Sequence, residues 1–387
     1  MTDTFSNKFN IERQYYPVLA KRAFLNTAQS GLIPSYAAEA ICGDIQDRVE
    51  NAMDIVSTNE RWADADALRF RVAEMLHCDS TEIAFGGNSS TLFNIFSNGI
   101  NLKPGDNVIT YDSAYFAMTY TWINKQRDGV EVRIASAKEG RIDASSLTSL
   151  VDKNTRAITV CHVDFASGFR HELAELGAFC RSRGIYFAVD ATQSCGVLEI
   201  DVEKMNIDFL TTSCYKWLQC VWGLGIVYVR RGLLDSIKQD GMGWSCTKDK
   251  NHNDPLVLEL SENANRFEYG GLNFPALAGL RRTIETYLRL GPKDIEEHVL
   301  CLTDYAYERV GESKKVSVFG NFESAHRSHI VTFSYPENWP ITREYLLENR
   351  IVAMPFGKGR CRIGIHYYNN KEDIDSLFEV FNKLERE

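Results

Sequence analysis

Several features that mark membrane, secreted or nucleic-acid-binding proteins are missing from this sequence. No apolar run approaches the length that a transmembrane helix needs, and the polar start MTDTFSNKFNIERQYY lacks the apolar segment of a signal peptide. The net charge of -9 at pH 7 argues against a nucleic-acid surface, for which a basic excess is expected. We therefore expect a cytoplasmic protein that binds neither nucleic acid nor a membrane.

Cysteine occurs ten times, but never in the patterns that indicate a metal site. No two cysteines form a C-x-x-C pair, and none is grouped with histidines at the spacing of metal ligands. Cys161, Cys180, Cys195 and Cys214 have apolar neighbours, which is typical of small buried residues in a reducing compartment. We predict no metal centre.

The sequence that is present has the size and composition of a folded protein with more than one domain. It has 387 residues, of which 44% are hydrophobic and 25% are charged. In its middle part, apolar strand-like runs alternate with segments whose apolar residues recur at helical spacing. One such helical segment ends at Gly184. The runs lie at 156–163, 185–190, 207–213 and 225–229. This alternation predicts a mostly parallel sheet that is covered on both faces by helices.

The pattern changes after the segment FEYGGLNFPALAGL at 267–280. Two short strand-like runs, SHIVTFSY and RCRIGIHYY, precede a final helix with one apolar stripe formed by Ile374, Leu377, Phe378, Phe381 and Leu384. We predict a large α/β domain over residues 20–275. A small α+β domain is predicted over residues 276–387, joined by residues 1–19.

Lys216 is the first candidate for chemistry because it follows a buried strand and lies between two bulky aromatics, Tyr215 and Trp217. Ligands of open α/β sheets bind at the carboxyl ends of strands. Desolvation there lowers the pKa of a lysine and favours a nucleophilic amine that forms a Schiff base with an aldehyde. The alternative is a structural lysine whose stem packs on apolar surface while its head reaches water.

Asp190 ends another buried strand, in FAVDATQSCG, with no basic residue close by in the sequence. A buried carboxylate needs a cationic partner, and a protonated pyridine nitrogen of pyridoxal phosphate is such a partner. Gln193, three residues later, is placed to donate to the phenolate oxygen of that cofactor. Taken alone, Asp190 also fits the N-cap of a helix.

A small-residue turn, FGGNSST, supplies a candidate phosphate site. Ser89 and Ser90 follow its glycines and open a helix with apolar spacing, so free backbone N–H groups and hydroxyls meet at the helix start. No lysine follows the glycines, which excludes a Walker A loop. A Gly-rich turn with serine caps is common, but phosphate, ring nitrogen and aldehyde sites together predict one cofactor.

These motifs resemble those of fold-type-I pyridoxal-phosphate enzymes, and specifically the class-V aminotransferase and cysteine-desulfurase superfamily. The resemblance runs nearly end to end and is carried by six stretches: FLNTAQSGLIP, FGGNSSTLFN, VDATQSCGVLEIDV, TTSCYKW with GLGIVYV, FEYGGLNFPALAGL, and RIGIHYYNNKEDID. It implies an α/β large domain with a mostly parallel seven-stranded sheet, a small α+β domain and a homodimer. In that dimer the Gly270–Gly271 segment would complete the partner's site.

Roles for individual residues follow from the resemblance. Lys216 is the expected Schiff-base lysine, Asp190 the pyridinium partner and Gln193 the residue at the phenolate oxygen. The substrate carboxylate is expected at Arg362, with Arg360 as the alternative, and Gln29 is expected beside the substrate. The remaining expected cofactor-binding residues are Ser89, Ser90, Tyr115, Ser213, Tyr215 and Gly271, with Tyr115 stacked on the ring unless the alignment slips to Phe116.

Four departures from the superfamily pattern bear on the reaction or on the cofactor contacts. The region that carries a nucleophilic cysteine in desulfurases is short here, and its one cysteine, Cys361, alternates with Arg362 and points to the opposite face of a strand. Tyr115 stands where desulfurases stack a histidine, and Phe165 stands near the position of an asparagine. Gly271 replaces a hydroxyl residue that reaches the partner's phosphate.

The resemblance implies an enzyme that acts at Cα of a small-molecule amino acid, and aminotransferase chemistry is the first choice. The alternatives are a C–S or other β-eliminating lyase, an epimerase of the isopenicillin N type and, less favoured, a cysteine desulfurase or selenocysteine lyase. A catalytically silent cofactor-binding protein is a further alternative, which the intact set of Lys216, Asp190 and Arg362 opposes.

Overall fold

A computed structural model describes residues 3–52, 54–250, 254–357 and 359–386. Its strands, numbered in chain order, form a seven-stranded sheet, a four-stranded sheet and a two-stranded pair. They are β1 (Ala23–Phe24), β2 (Ile83–Gly86), β3 (Asn107–Tyr111), β4 (Glu131–Ala135), β5 (Thr155–Cys161), β6 (Tyr186–Asp190), β7 (Phe209–Ser213), β8 (Gly225–Val229), β9 (Ser317–Val318), β10 (Ile330–Ser334), β11 (Ile351–Val352), β12 (Met354–Pro355) and β13 (Arg360–Gly364).

The helices surround these sheets and are likewise numbered along the chain. They are α1 (Asp3–Arg13), α2 (Ser35–Asn51), α3 (Ile55–Leu76), α4 (Ser89–Gly99), α5 (Phe116–Lys125), α6 (Ala144–Thr148), α7 (Leu173–Arg183), α8 (Arg231–Leu234), α9 (Phe274–Leu290), α10 (Pro292–Gly311), α11 (Arg343–Glu348) and α12 (Lys371–Arg386). No described helix has the length and apolar character needed to cross a bilayer.

The seven-stranded sheet has the order β2-β8-β7-β6-β5-β3-β4 and is mostly parallel, as predicted. Strand β8 runs antiparallel to both of its neighbours, β2 and β7, and the other pairs are parallel. Strands β5, β6, β7 and β8 are almost entirely buried because their apolar residues meet helices on both faces. The carboxyl ends of β5, β6 and β7 therefore meet at one edge of the sheet.

The four-stranded sheet, of order β12-β13-β10-β9, is antiparallel and lies in the C-terminal part of the chain. The apolar stripe predicted for the last helix is buried along α12. Helix α1 joins this part through the ion pair of Arg13 with Asp373, and Phe9 stacks on His298 at 4.1 Å. The proposed domain limits at residues 19 and 275 stay a prediction, and α9 begins at Phe274.

Candidate active site

Lys216 lies in the turn that follows β7, at the sheet edge predicted for ligands. The Gly31 N–H donates to the Tyr215 carbonyl at 2.9 Å, and any Cβ at position 31 would lie 2.0 Å from the Lys216 carbonyl oxygen. Glycine is needed there because the two backbones approach so closely. The Lys216 side chain is buried, and its Nζ lies 5.5 Å from the Tyr115 ring centre and 5.6 Å from that of Tyr215.

The amine of Lys216 is prepared to act as a nucleophile or base. Burial lowers its pKa to about 8, the charge of Asp190 raises that pKa, and the charge of Arg362 lowers it. Desolvation thus dominates, because it disfavours the charged form of the lysine. With this pKa about one fifth of the amine is neutral at pH 7.4, far more than in an exposed lysine.

Asp190 ends β6, and β5 and β7 pair with it on either side. Its Oδ1 accepts the Thr192 N–H at 2.8 Å, and within the described residues the carboxylate forms no ion pair. Burial raises the pKa of the Asp190 carboxyl, whereas the Thr192 hydrogen bonds and the charge of Lys216 lower it. A cation placed against this carboxylate would keep it ionised. The helix-cap alternative does not apply, since no helix begins at Asp190.

The candidate phosphate site forms where α4 begins. Asn88 caps this helix by accepting the Thr91 N–H at 2.9 Å, so neither serine is the N-cap. Ser89, the first helical residue, donates its N–H to Ser213 Oγ at 2.9 Å, which brings the ends of β2 and β7 together. Ser90 follows and is partly buried. Hydroxyls and the positive end of a helix thus gather at one point, which suits an anion.

Gln193 lies beneath the same edge and is buried. Its Nε2 donates to the Ala28 carbonyl at 3.0 Å, and its Oε1 accepts the indole N–H of Trp217 at 2.8 Å. The side-chain amide is therefore held by the N-terminal segment on one side and by the residue after Lys216 on the other.

The two candidate arginines differ in their surroundings. Arg362, in β13, is buried, and its Nη1 donates to the Phe165 carbonyl at 2.5 Å while its Nε has no partner. Within the described residues it pairs with no carboxylate, and burial lowers its pKa to about 10. Arg360 is half-buried and stacks on the Phe319 ring at 3.8 Å. These surroundings favour Arg362 as the ligand of a carboxylate.

An aromatic cluster borders Lys216. The Tyr115 ring meets Phe165 edge-on at 5.6 Å, and Phe165 lies 6.0 Å from Phe116. Phe116 is 55% exposed, so Tyr115 rather than Phe116 faces the lysine. Tyr215 is half-buried, and its ring lies 5.0 Å from that of Trp222.

Two predicted site residues are exposed in this chain. Gln29 is exposed, and its side-chain oxygen accepts from Asn26 at 2.8 Å. Gly271 is also exposed and lines a cavity of about 380 Å³ together with Gly270 and with Gly86 and Gly87 of the phosphate turn.

Sequence reasoning missed three contributors to this site. Thr192 donates to Asp190 and accepts the Ser213 N–H at 3.1 Å, which ties β6 to β7. Asn88 is a common type of N-cap residue, and its place before the helix could have identified it. The third is the hydrogen bond from Trp217 to Gln193, for which the sequence holds no local signal because 24 residues separate them.

Comparison with known proteins assigns the chain to a family. Residues 51–377 match the model of the family described as aminotransferase class-V, and the chain belongs to that family. A probable cysteine desulfurase of Methanothermobacter thermautotrophicus is 27% identical over 334 residues, which cover 82% of this chain and 82% of the relative.

Solved structures share the fold. An apo cysteine desulfurase from Thermococcus onnurineus NA1 has a TM-score of 0.86 at 23% identity, covering 97% of this chain and 98% of that one. The cystine C–S lyase C-DES, in complex with its product cysteine persulfide, has a TM-score of 0.86 at 22% identity, covering 95% and 98%. The predicted superfamily and fold type I are confirmed.

The chain is a pyridoxal-phosphate-dependent enzyme of this family, and its residues fit the cofactor. Asp190 is a buried carboxylate without a cationic partner among the described side chains, as a site for a pyridinium nitrogen requires. Lys216 would hold the aldehyde carbon, and Ser89 and Ser213 would hold the phosphate. The buried Arg362, whose Nε is unpartnered, would bind a carboxylate of the substrate.

Proposed function

We propose that this class-V family member is an aminotransferase that moves a proton from Cα of an amino acid, with Lys216 as the proton carrier. One observation carries the proton-transfer step of this proposal, a step that a lyase would share. The buried amine of Lys216, whose pKa is about 8, lies within electrostatic reach of a buried arginine that pairs with no carboxylate among the described residues. An amino acid supplies the missing carboxylate, and its Cα then lies near the base.

Arg362 would fix the substrate carboxylate. Its Nη1 is held by the Phe165 carbonyl, so the guanidinium is oriented before the substrate arrives, and its Nε has no partner among the described residues. A guanidinium binds a carboxylate through two parallel N–H donors. With a pKa of about 10, it remains charged at neutral pH.

Lys216 would then remove the Cα proton and, for transamination, deliver it to the former aldehyde carbon of the cofactor. General bases work best when their pKa lies near the operating pH, and the value of about 8 meets this condition. Asp190 would hold a positive charge on the ring nitrogen. When bound, pyridoxal phosphate supplies an electron-withdrawing ring that stabilises negative charge at Cα.

The cysteines oppose a desulfurase that stores sulfur on an enzyme thiol. Cys361 is buried, and burial raises the pKa of its thiol to about 12, so it is not a thiolate at neutral pH. Cys161, which pairs with Asp190 across β5 and β6, is also buried, and burial raises its thiol pKa. A thiolate nucleophile therefore has no candidate among the described residues near Lys216.

A second candidate function is β-elimination of a sulfur substituent, which requires no enzyme thiol. The names of the relatives favour it, since one of 27% identity is a probable cysteine desulfurase and another, of the same fold, is a cystine C–S lyase. The initial loss of the Cα proton at Lys216 is common to both functions. The two functions differ in the next step: in elimination the electron pair left at Cα expels the sulfur substituent, and in transamination it does not.

A homodimer is the proposed assembly. Phe116, Tyr120 and Trp222 are large apolar residues with 55%, 63% and 71% of their surface exposed, all close to the candidate site in sequence or contact. Exposed apolar clusters of this kind are typical of subunit interfaces. Light scattering of the purified protein tests this, and a monomeric mass at micromolar concentration would contradict it.

The test is a single-turnover assay of the holoenzyme with amino acids of each side-chain class and no keto-acid acceptor. Transamination predicts one equivalent of pyridoxamine phosphate and one of keto acid per site. Steady production of pyruvate or of sulfide would instead establish elimination, and exchange of the Cα proton without net product would establish epimerisation. No reaction with any amino acid would overturn the proposal.

A further inference from the structure

The orientation of the Gln193 side-chain amide is fixed by the chemistry of its two hydrogen-bond partners. An indole N–H can only donate, so the amide atom 2.8 Å from Trp217 Nε1 must be the oxygen. A backbone carbonyl can only accept, so the amide atom 3.0 Å from the Ala28 oxygen must be Nε2. Two independent contacts thus require the same orientation of this amide.

Trp217 is rigid enough to impose that orientation. It is only 1% exposed, and its ring packs edge-on against His329 at 4.0 Å and parallel to His366 at 5.5 Å. His329 Nε2 also contacts the Gln193 carbonyl at 2.7 Å, and His366 Nε2 contacts the Trp217 carbonyl at 3.0 Å. Both ends of the Trp217–Gln193 contact are therefore anchored.

One donor of Gln193 is left for a ligand. The amide nitrogen carries two N–H groups, of which one bonds Ala28, and the described part of the chain holds no acceptor for the other. Since Oε1 faces Trp217, the group available to a bound molecule is an N–H and not a carbonyl.

We propose that Trp217 is a positioning residue, whose indole N–H holds Gln193 so that the amide presents an N–H to the phenolate oxygen of the cofactor. The inference rests on the proposed placement of the cofactor beside Gln193. A donor stabilises the phenolate anion and lowers the pKa of the bound chromophore, whereas a flipped amide would present a lone pair and raise it.

The test is a spectrophotometric pH titration of the holoenzyme. Because the Ala28 contact remains in Trp217→Phe, the amide loses one of its two anchors. The pKa of the bound chromophore is therefore expected to rise by up to about one unit, at most a tenfold change in the ratio of its protonated to deprotonated forms. The matched control is Trp122→Phe, which removes another buried indole N–H, one that bonds Thr159 Oγ1 at 2.9 Å away from the site. This control is expected to leave the chromophore pKa unchanged.

A double-mutant cycle separates positioning from general damage. In a Gln193→Ala background, Trp217→Phe is expected to give no further pKa shift, because the indole acts only through that amide. A shift of the same size in this background, or an unchanged pKa in Trp217→Phe alone, would overturn the inference.

Replacement of Trp217 by benzothienylalanine keeps the ring shape and deletes only the donor, so it decides the question should Trp217→Phe fail to fold. The same rise of up to about one unit is expected. A failure of the proposed function is distinguishable, since transaminase, lyase and epimerase all retain this chromophore. Absence of any cofactor absorbance would reject the cofactor placement instead.

Discussion

Two buried arginines lie in different regions of the molecule and differ in their partners: one is paired with a carboxylate of the protein, and the other is not. Arg69, on α3, donates from Nη2 to both oxygens of Glu268 at 2.6 and 2.7 Å, and Glu268 also accepts the Phe85 N–H. Arg362, on β13, meets a backbone carbonyl and no described carboxylate. A buried charge without a counter-charge costs stability, so its presence indicates a ligand.

Lys216, like Arg362, is a buried basic residue without an ion-pair partner among the described residues. Its substitution should have the largest effect on activity. Lys216→Met has a similar volume and removes both the nucleophile and an unpaired buried amine. Turnover is expected to fall at least about 1,000-fold, since general acid–base catalysis alone contributes about 10²–10⁴. The thermal stability of the apoprotein should not fall.

Steady-state kinetics and mass spectrometry after borohydride treatment check this prediction. The wild type should carry a cofactor adduct at position 216, and the variant should carry none. An adduct on another lysine would refute the assignment.

Replacement of each arginine by methionine should affect a different property: stability for Arg69 and activity for Arg362. Arg69→Met leaves Glu268 buried and unpaired, so the free energy of unfolding should fall by about 3–5 kcal/mol. Arg362→Met should lower kcat/KM about 10- to 150-fold, equivalent to the loss of about 1.5–3 kcal/mol of charge-assisted hydrogen bonds. Its stability should be unchanged or higher.

Denaturant titration and kinetics on the same preparations measure both effects. Arg360→Met is the matched control for Arg362, because Arg360 stacks on Phe319 outside the site. A larger kinetic loss in Arg360→Met than in Arg362→Met would reverse the assignment of the carboxylate ligand.

The pH dependence of cofactor loading sharpens the distinction between a buried and an exposed lysine. Only the neutral amine attacks an aldehyde, and burial lowers the pKa of Lys216 to about 8 from an ordinary value of 10.5. The rate at which the apoenzyme gains absorbance should therefore rise with pH, with a midpoint near 8, and level off above it. A midpoint near 10.5 would show that the amine is solvated.

Cys361 should give the smallest effect, although it is the neighbour of Arg362 in the chain. Its side chain lies on the opposite face of β13 and is buried. Cys361→Ala should cost about 1 kcal/mol of stability through lost apolar contacts and leave kcat unchanged. Abolished sulfide or persulfide production in this variant would restore the desulfurase hypothesis.

Much of the site could be predicted because its residues lie at the ends of strands with clear patterns. Asp190 and Ser213 end β6 and β7, Lys216 follows β7, and parallel strands bring their carboxyl ends to one edge. Gln29 is exposed and bonds Asn26, and its place beside the substrate stays a prediction. The roles of Arg362 and Gly271 remain predictions.

The sequence by itself determined the mostly parallel sheet and the place of the lysine at its edge, because apolar spacing and turn glycines act over a few residues. Only the tertiary structure decided which charges are paired and which way the Gln193 amide points. Those outcomes depend on contacts such as Trp217 with Gln193 and Arg69 with Glu268, between segments that are distant in the chain. Pairing of this kind is set by how the layers pack, and no local pattern encodes it.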